Sequence, residues 1–330
     1  MPHKNFYQFK AENNFDLGFQ MGKTFSSFAI DSWNTESLHE TWQKKKERAK
    51  RFITFNEKFL PEYLDEIRGY AEGAGVPLVD MYTLCLEDEV DEDYPEKCTT
   101  VITNNGQLFA HNEDWDSQSK DKICVVEKQI KDLSIFELFY CNTLGGNSVS
   151  VNSNGYIIGI NSLVSKNTRF GLSKNIITRW MQEIKDPNIN ISELKKIPRS
   201  VGYNYNILNK KGDVINIEYN SKHLAVTMTK LPFIHTNHYL TELSVDELNT
   251  DKNGTFTRYE TAKKNMKSEM NITEIIDLSN DTSSGPQKSI MNERTISKII
   301  VDTKKKVAKI WLLRENELGW VDYDLKKYFI

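Results

Sequence analysis

The spacing of apolar positions changes near residue 98. Before it, Tyr63, Leu64, Ile67, Tyr70, Ala71 and Ala74 fall on one face of a helix that Pro61 precedes and for which Gly75 is the expected C-cap. The first ninety residues read as helical. Ser37 and Glu40 form a capping-box pattern ahead of a charged helix that runs to about Asn56, and a short helix is expected from 80 to about 86. From Cys98 onward the period becomes two, the signature of half-buried strands. Strands are predicted over 98–104, 107–112, 123–130, 134–140, 147–151 and 156–161, then a helix over 172–184. Further strands follow over 203–209, 213–219, 222–229 and 232–237, and helices over 257–270 and 272–278 lead to a closing hairpin of 295–302 with 307–313. Asn105-Gly106 is a strong hairpin signal, because both residue types accept positive φ. Runs of helices and of paired strands in this order predict α+β layers. The chain shows no internal repeat.

Between the two periods, residues 87–96 carry a dense acidic run that repels itself and reads as an exposed linker; it does not match the calcium loop of an EF-hand. The whole chain is balanced: 330 residues, 38% hydrophobic, 27% charged and a net charge of −3. That leaves no electrostatic case for a nucleic-acid partner or an anionic membrane. The lysine runs at 44–46 and 304–306 read as a solvated helix face and a hairpin turn. The N-terminus lacks the apolar segment of a secretory signal, and no stretch reaches the ~18 apolar residues of a membrane helix. Four cysteines, Cys85, Cys98, Cys124 and Cys141, show no CxxC spacing, which suits a reducing compartment; cytoplasm is the expected location. Homo-oligomerisation is compatible with this composition, and neither a cofactor nor a metal is the expected reading.

Cys98 is the chemical candidate. It heads a strand, just after a junction that could be cut. Scission of the Lys97–Cys98 bond would give one residue a thiol and the α-amine to activate it. A two-residue loop at 105–106 pairs residues whose numbers sum to 211, so Cys98 is expected opposite Glu113. Asn112-Glu113-Asp114-Trp115-Asp116 follows as an acidic cluster at a strand end, where Asp114 or Asp116 could hold an α-ammonium or orient a substrate amine. His235-Thr236-Asn237-His238 leaves three readings open: a metal pair, a histidine base for Cys98, or an oxyanion donor in Asn237. Cys85, Cys124 and Cys141 read as small core residues, and His111 as a packed strand residue.

Six segments in order then resemble the isopenicillin N acyltransferase, or acyl-coenzyme A:6-aminopenicillanic acid acyltransferase, family of N-terminal-nucleophile hydrolases. They are Gly18-Phe19-Gln20-Met21-Gly22-Lys23, the stretch Glu66-Ile67-Arg68-Gly69-Tyr70-Ala71-Glu72-Gly73-Ala74-Gly75-Val76, Cys98-Thr99-Thr100, Asp114-Trp115-Asp116, Val151-Asn152-Ser153-Asn154-Gly155 and Thr236-Asn237-His238. The resemblance implies a four-layer αββα sandwich, with residues 1–97 as a helical N-terminal segment and 98–330 as the catalytic core. It implies that Cys98 is the nucleophile, freed by autocatalytic cleavage after Lys97. It matches Asp116 to the family's aspartate and Asn237 to its oxyanion asparagine, with Asp114, Trp115 and Arg294 on the substrate side. The implied substrate is a small-molecule amide or thioester whose acyl group passes to water or an amine. Three positions depart from the pattern. Lys97 stands where the acyltransferases have glycine, Asp114 where they have asparagine, and Arg294 falls just beyond the family's serine-arginine motif. An unprocessed Cys-His thiol hydrolase and a non-catalytic ligand-binding relative are the alternative readings.

Overall fold

Helices fill the chain up to residue 84 and strands dominate after 97, but the first element is a strand. The computed structural model describes residues 2–86, 89, 97–248 and 254–329. Strand β1 (Phe6–Ala11) is followed by α1 (Asn14–Thr24), α2 (Ser26–Ser37), α3 (Trp42–Phe59), α4 (Pro61–Ala74) and α5 (Leu78–Leu84). The hairpin β2 (Lys97–Thr103) and β3 (Leu108–Asp114) comes next, then β4 (Ile123–Ile130), β5 (Leu133–Tyr140), β6 (Val149–Asn152) and β7 (Tyr156–Ser162). Helices α6 (Lys174–Met181) and α7 (Pro187–Lys196) lead to β8 (Tyr203–Asn209), β9 (Val214–Tyr219), β10 (Leu224–Met228) and β11 (Phe233–His235). Last come α8 (Thr255–Asn265), α9 (Ile272–Ser279), β12 (Thr295–Asp302), β13 (Val307–Leu312) and β14 (Val321–Asp324).

The strands form two sheets. One has eight strands in the order β1-β4-β5-β6-β7-β8-β9-β10, the other six in the order β11-β2-β3-β12-β13-β14. Strand alternation divides the apolar side chains among three cores. Phe139, Ile160 and Tyr205 of the larger sheet pack with Leu17, Tyr63, Ile67 and Ile177 of the helices. Val125, Leu138 and Val151 meet Ile102, Phe109, Ile299 and Ile310 between the sheets. Val101, Ala110 and Ile300 of the smaller sheet pack on Ala262, Ile275 and Leu278 of α8 and α9. Three cores between four layers make an α+β sandwich of the αββα type.

The glycine-spaced segments have a packing reason. Helices α1 and α4 cross at backbone contact: a Cβ on Gly18 would sit 1.9 Å from the Glu66 carbonyl oxygen, and one on Gly69 2.0 Å from that of Phe15. Only hydrogen fits at such a crossing. Gly75 ends α4 with φ 71°, as its cap position predicts.

Three local expectations are corrected, and two further elements are added. Residues 6–11 are a strand, not a helix; β1 pairs in parallel with β4 from Phe6↔Val125 to Ala11↔Ile130. Its alternation is short, and its partner lies more than a hundred residues away, so a local window misses it. Ser37 ends α2 rather than capping the next helix. Its hydroxyl donates to the Asn34 carbonyl, and α3 begins at Trp42, whose indole donates to Asp80 at 3.0 Å. Helix α7 and strand β14, which seals the smaller sheet against β13, also have no counterpart in the periodicity reading. Glu89, from the acidic run, is buried and accepts from Ser200 Oγ at 2.9 Å and from Lys174 N at 2.6 Å. The rest of that run lies outside the described residues. Among the described residues no helix is long and apolar enough to cross a membrane.

Candidate functional site

The site grows from the β2–β3 hairpin. Gln107 N–H donates to the Asn104 carbonyl at 2.9 Å across Asn105 (φ 51°, ψ 39°) and Gly106 (φ 82°), the signs a type I′ turn requires. That turn sets the register Cys98↔Glu113, Thr100↔His111 and Ile102↔Phe109, as the loop length predicts. Alternation sends these six residues toward the other sheet, and Thr99, Asn112 and Asp114 toward α8 and α9.

Cys98 is fully buried. Its thiol lies 3.6 Å from Glu113 Oε1, which also accepts from the Tyr140 hydroxyl at 2.9 Å. Glu113 Oε2 lies 3.1 Å from His111 Nε2, and His111 Nδ1 lies 2.9 Å from Thr100 Oγ1. His111, expected to be a packing residue, therefore reaches the thiol through one carboxylate. The backbone of Cys98 is held separately: its N–H donates to Asn237 Oδ1 at 2.8 Å, and its carbonyl accepts from Arg258 Nη1 at 2.7 Å. Arg258 also donates to Thr99 Oγ1 at 2.8 Å and to Asn237 Oδ1 at 2.9 Å.

Asn237 follows β11, which pairs with β2 through His235↔Thr100. Its Oδ1 faces the Cys98 backbone, and its Nδ2 donates to the Ser162 carbonyl at 3.1 Å. In this arrangement the carboxamide anchors the Cys98 nitrogen, and donation to an oxyanion requires release from Ser162. His235 and His238 are occupied elsewhere. His235 Nε2 is 2.8 Å from Glu218 and His238 Nδ1 is 3.0 Å from Thr255 Oγ1, so the histidine brought to Cys98 is His111. Burial pushes Glu218 up, but bonds from His235, Thr241 and the Leu240 N–H outweigh it and hold its carboxyl below the usual range.

The two aspartates separate sharply. Asp114, inside β3, is fully buried and accepts from Thr295 Oγ1 and Asn292 Nδ2, each at 2.6 Å. Burial raises its pKa to about 6, against the lowering effect of Arg258 and of those two donors. Asp116 lies past the strand end and is exposed on the wall of a cavity of about 560 Å³. Trp115 and Tyr140 line the same cavity, with Phe28, Trp42 and Lys45 opposite. Arg294 is half-buried; its carbonyl accepts from Trp115 N–H at 2.9 Å, while its Nε is buried with no protein partner. Lys97 pairs through its backbone with Asp114.

Cys98, His111 and Glu113 present ligand atoms within 4.8 Å of one another. The set suits zinc by donor type, and its members also contact one another, Cys98 with Glu113 and Glu113 with His111. Glu113, His111 and Arg258 are the site residues that the sequence reading gave no role. The hairpin register pointed at Glu113 directly, and Arg258 had no comparable signal.

The buried Cys98 thiol thus sits at the head of an inner strand, between two sheets flanked by helices. The chain belongs to the acyl-coenzyme A:6-aminopenicillanic acid acyl-transferase family, which residues 101–317 match, starting within β2 just after Cys98. It is similar to the beta-alanyl-dopamine/carcinine hydrolase of Drosophila melanogaster, 26% identical over 199 residues that make up 50% of this chain and 51% of that protein. The chain thus spans about half the length of that curated relative. Similar solved structures include a conjugated bile acid hydrolase from Clostridium perfringens (TM-score 0.47, 11% identity, 70% of this chain and 93% of that one). Another is penicillin V acylase from Agrobacterium tumefaciens (TM-score 0.42, 14% identity, 66% and 83%).

Proposed function

We propose that the chain is a cysteine amidohydrolase or acyltransferase that works through an acyl-enzyme on Cys98, after cleaving its own Lys97–Cys98 bond. The observation that carries this is the double hold on Cys98: the nitrogen on Asn237 Oδ1 at 2.8 Å, the thiol against Glu113 at 3.6 Å. Scission would leave an α-amine in the place of that nitrogen, already anchored. Such an amine has an unperturbed pKa near ~8, so part of it is neutral at pH 7 and accepts the thiol proton. The thiolate attacks the acyl carbon of a non-peptide amide or thioester, the amine or thiol leaves, and water or a second amine resolves the acyl-enzyme. Asn237, released from Ser162, would meet the oxyanion; losing such a donor typically costs roughly 100-fold in rate.

The cavity supports an amine-bearing substrate. Asp31, Glu36, Asp116 and Asp121 line it against Lys45 and Lys122, and Phe28, Trp42, Trp115 and Tyr140 give it aromatic walls. Its similarity to a protein named for β-alanyl-dopamine and carcinine points the same way. Asp116 and Trp115 act here as pocket wall, with Asp114 behind the strand and Arg294 beside Trp115.

Intact mass spectrometry of the wild type and of Cys98→Ala tests the reading. Two fragments meeting at 97/98 in the wild type, one chain in the variant, and a β-alanyl adduct on Cys98 after exposure to β-alanyl amines are expected. An uncut wild-type chain that still turns over amides would overturn scission. An absence of any acyl adduct with activated esters would leave a ligand-binding protein.

A further inference from the structure

The uncut chain poses a chemical problem. Until Lys97–Cys98 breaks, the Cys98 nitrogen is an amide that donates to Asn237 and has no lone pair for the thiol proton. A base must come from elsewhere, and the polar groups between the sheets identify it by the direction of their hydrogen bonds.

The direction is set at a main-chain carbonyl, which can only accept. Asn204 Nδ2 donates to the Ile217 carbonyl at 3.1 Å, so Asn204 Oδ1 is the atom that accepts from Asn206 Nδ2 at 2.8 Å. The same Asn206 amide donates to Asn161 Oδ1 at 2.9 Å, while Asn206 Oδ1 accepts from Asn216 Nδ2 at 3.0 Å. Asn161 Oδ1 is therefore an acceptor, and the Thr100 hydroxyl spends its single hydrogen on it at 3.0 Å. Turning Asn161 over would set two amide groups donor against donor. With its hydrogen committed, Thr100 Oγ1 accepts from His111, so His111 Nδ1 carries a hydrogen. Nε2 then faces Glu113 Oε2 at 3.1 Å. A bare imidazole nitrogen and a bare carboxylate oxygen repel at that distance, so one proton sits between them. Tyr140 fixes the other carboxylate oxygen toward Sγ.

We propose that Glu113, with its proton-sharing partner His111, takes the Cys98 thiol proton in the uncut chain and so starts the self-cleavage. This rests on the scission reading above. The S–H proton passes to Glu113 Oε1, leaving a thiolate beside a neutral carboxyl and an imidazolium. Sulfur bonds to the Lys97 carbonyl carbon, and the C–N bond to Cys98 breaks as its nitrogen takes the proton back from Glu113. The products are a Lys97 thioester and a free α-amine; water then hydrolyses the thioester to the Lys97 carboxylate and regenerates the thiol. Glu113 touches the reacting sulfur and is catalytic, whereas His111 acts through it and is a positioning residue.

Two measurements decide this, and they fail separately from the scission reading. In ¹⁵N-histidine-labelled Cys98→Ala, which stays uncut, His111 Nδ1 is expected to bear a proton, and the hydrogen-bonded proton at Nε2 is expected to vanish on adding Glu113→Gln. An unprotonated Nδ1 overturns the proposal. In the Cys98 protein, Glu113→Gln should slow scission at 97/98 roughly 100-fold, the low end for loss of a general base. Hydroxylamine should not rescue it, because no thioester has formed. Cutting at the wild-type rate overturns the proposal, as does a variant that hydroxylamine cuts promptly. If the wild type is never cut, the scission reading fails by itself. The relay is then read from acylation of Cys98 by an activated ester, slowed by a similar factor in Glu113→Gln; equal rates overturn it.

Discussion

The two faces of the β2–β3 hairpin are made by the same fourteen alternating positions, yet they treat polar groups in opposite ways. Toward the other sheet, Cys98, Glu113, His111 and Thr100 form a line of polar groups spaced 3.6, 3.1 and 2.9 Å apart. Toward α8 and α9, Arg258 donates to Thr99 Oγ1, and the buried Asp114 carboxyl accepts from Asn292 and Thr295. In the proposed reading the first face moves a proton. The second grips a backbone: Arg258 holds the Cys98 carbonyl and helps Asn237 hold the nitrogen next to it. In the proposed reading, thiol activation and peptide positioning come from different sides of one strand, so a substitution on one side should leave the other function measurable.

Arg258→Met tests the gripping side and has the largest expected effect on stability. It leaves the Cys98 carbonyl, Thr99 Oγ1 and Asn237 Oδ1 short of donors and removes the positive neighbour of Asp114. Breaking a buried charged contact of this kind costs about 3 kcal/mol. Urea denaturation should show that loss, and the Asp114 carboxyl should titrate above its wild-type value, because Arg258 is what lowers it. The His111 ring-nitrogen signature should survive. Its disappearance in Arg258→Met would mean that the two faces are not independent.

Thr100→Val tests the other side with a smaller effect. Valine keeps the shape and removes the acceptor that fixes His111 Nδ1. A hydrogen bond worth about 1.4 kcal/mol in positioning corresponds to roughly tenfold in scission rate. Time-resolved mass spectrometry should show that slowing while the Arg258 contacts, and hence the stability they supply, stay in place. A rate equal to wild type would detach Thr100 from the relay.

Much of this contrast was legible in the sequence, and the illegible part has a physical cause. The register came straight from Asn105-Gly106, since a type I′ turn leaves one pairing, and Cys98↔Glu113 followed. The apolar face of α4 and the glycines of its crossing with α1 were equally readable, because both are local patterns. The acidic cluster and the family motif drew attention to Asp114 and Asp116, while strand alternation puts Glu113, three positions before Asp116, on the thiol's face and Asp114 behind it. Arg258 was invisible for a different reason. It stands on a charged, weakly amphipathic helix whose spacing does not announce an arginine pointing inward, and its partners lie 21 and 160 positions away. Strand β1 escaped on the same ground, since only its pairing with β4 makes it a strand.

The finest test of the comparison is the pH dependence that Asp114 should write into stability. Burial holds its folded pKa at about 6, against about 3.9 for an unperturbed aspartate. Between those values the folded state binds more protons than the unfolded chain, so stability falls as pH rises from 4 to 6 and stays lowered above it. A single such group contributes a slope of up to ~1.4 kcal/mol per pH unit. Asp114→Asn removes the titration, so its stability curve, measured by urea unfolding in the Cys98→Ala background, should lack that component between pH 4 and 6. The substitution also changes the bonds to Asn292 and Thr295, which moves the whole curve up or down but cannot imitate a slope. Parallel curves for the two proteins would show that Asp114 is ionised at ordinary acidity in the folded state. The positive charge of Arg258 and the two donors would then outweigh burial on the helix-facing side. A slope that disappears in the variant identifies Asp114 as a carboxyl that titrates beside an arginine whose other contacts hold the Cys98 carbonyl.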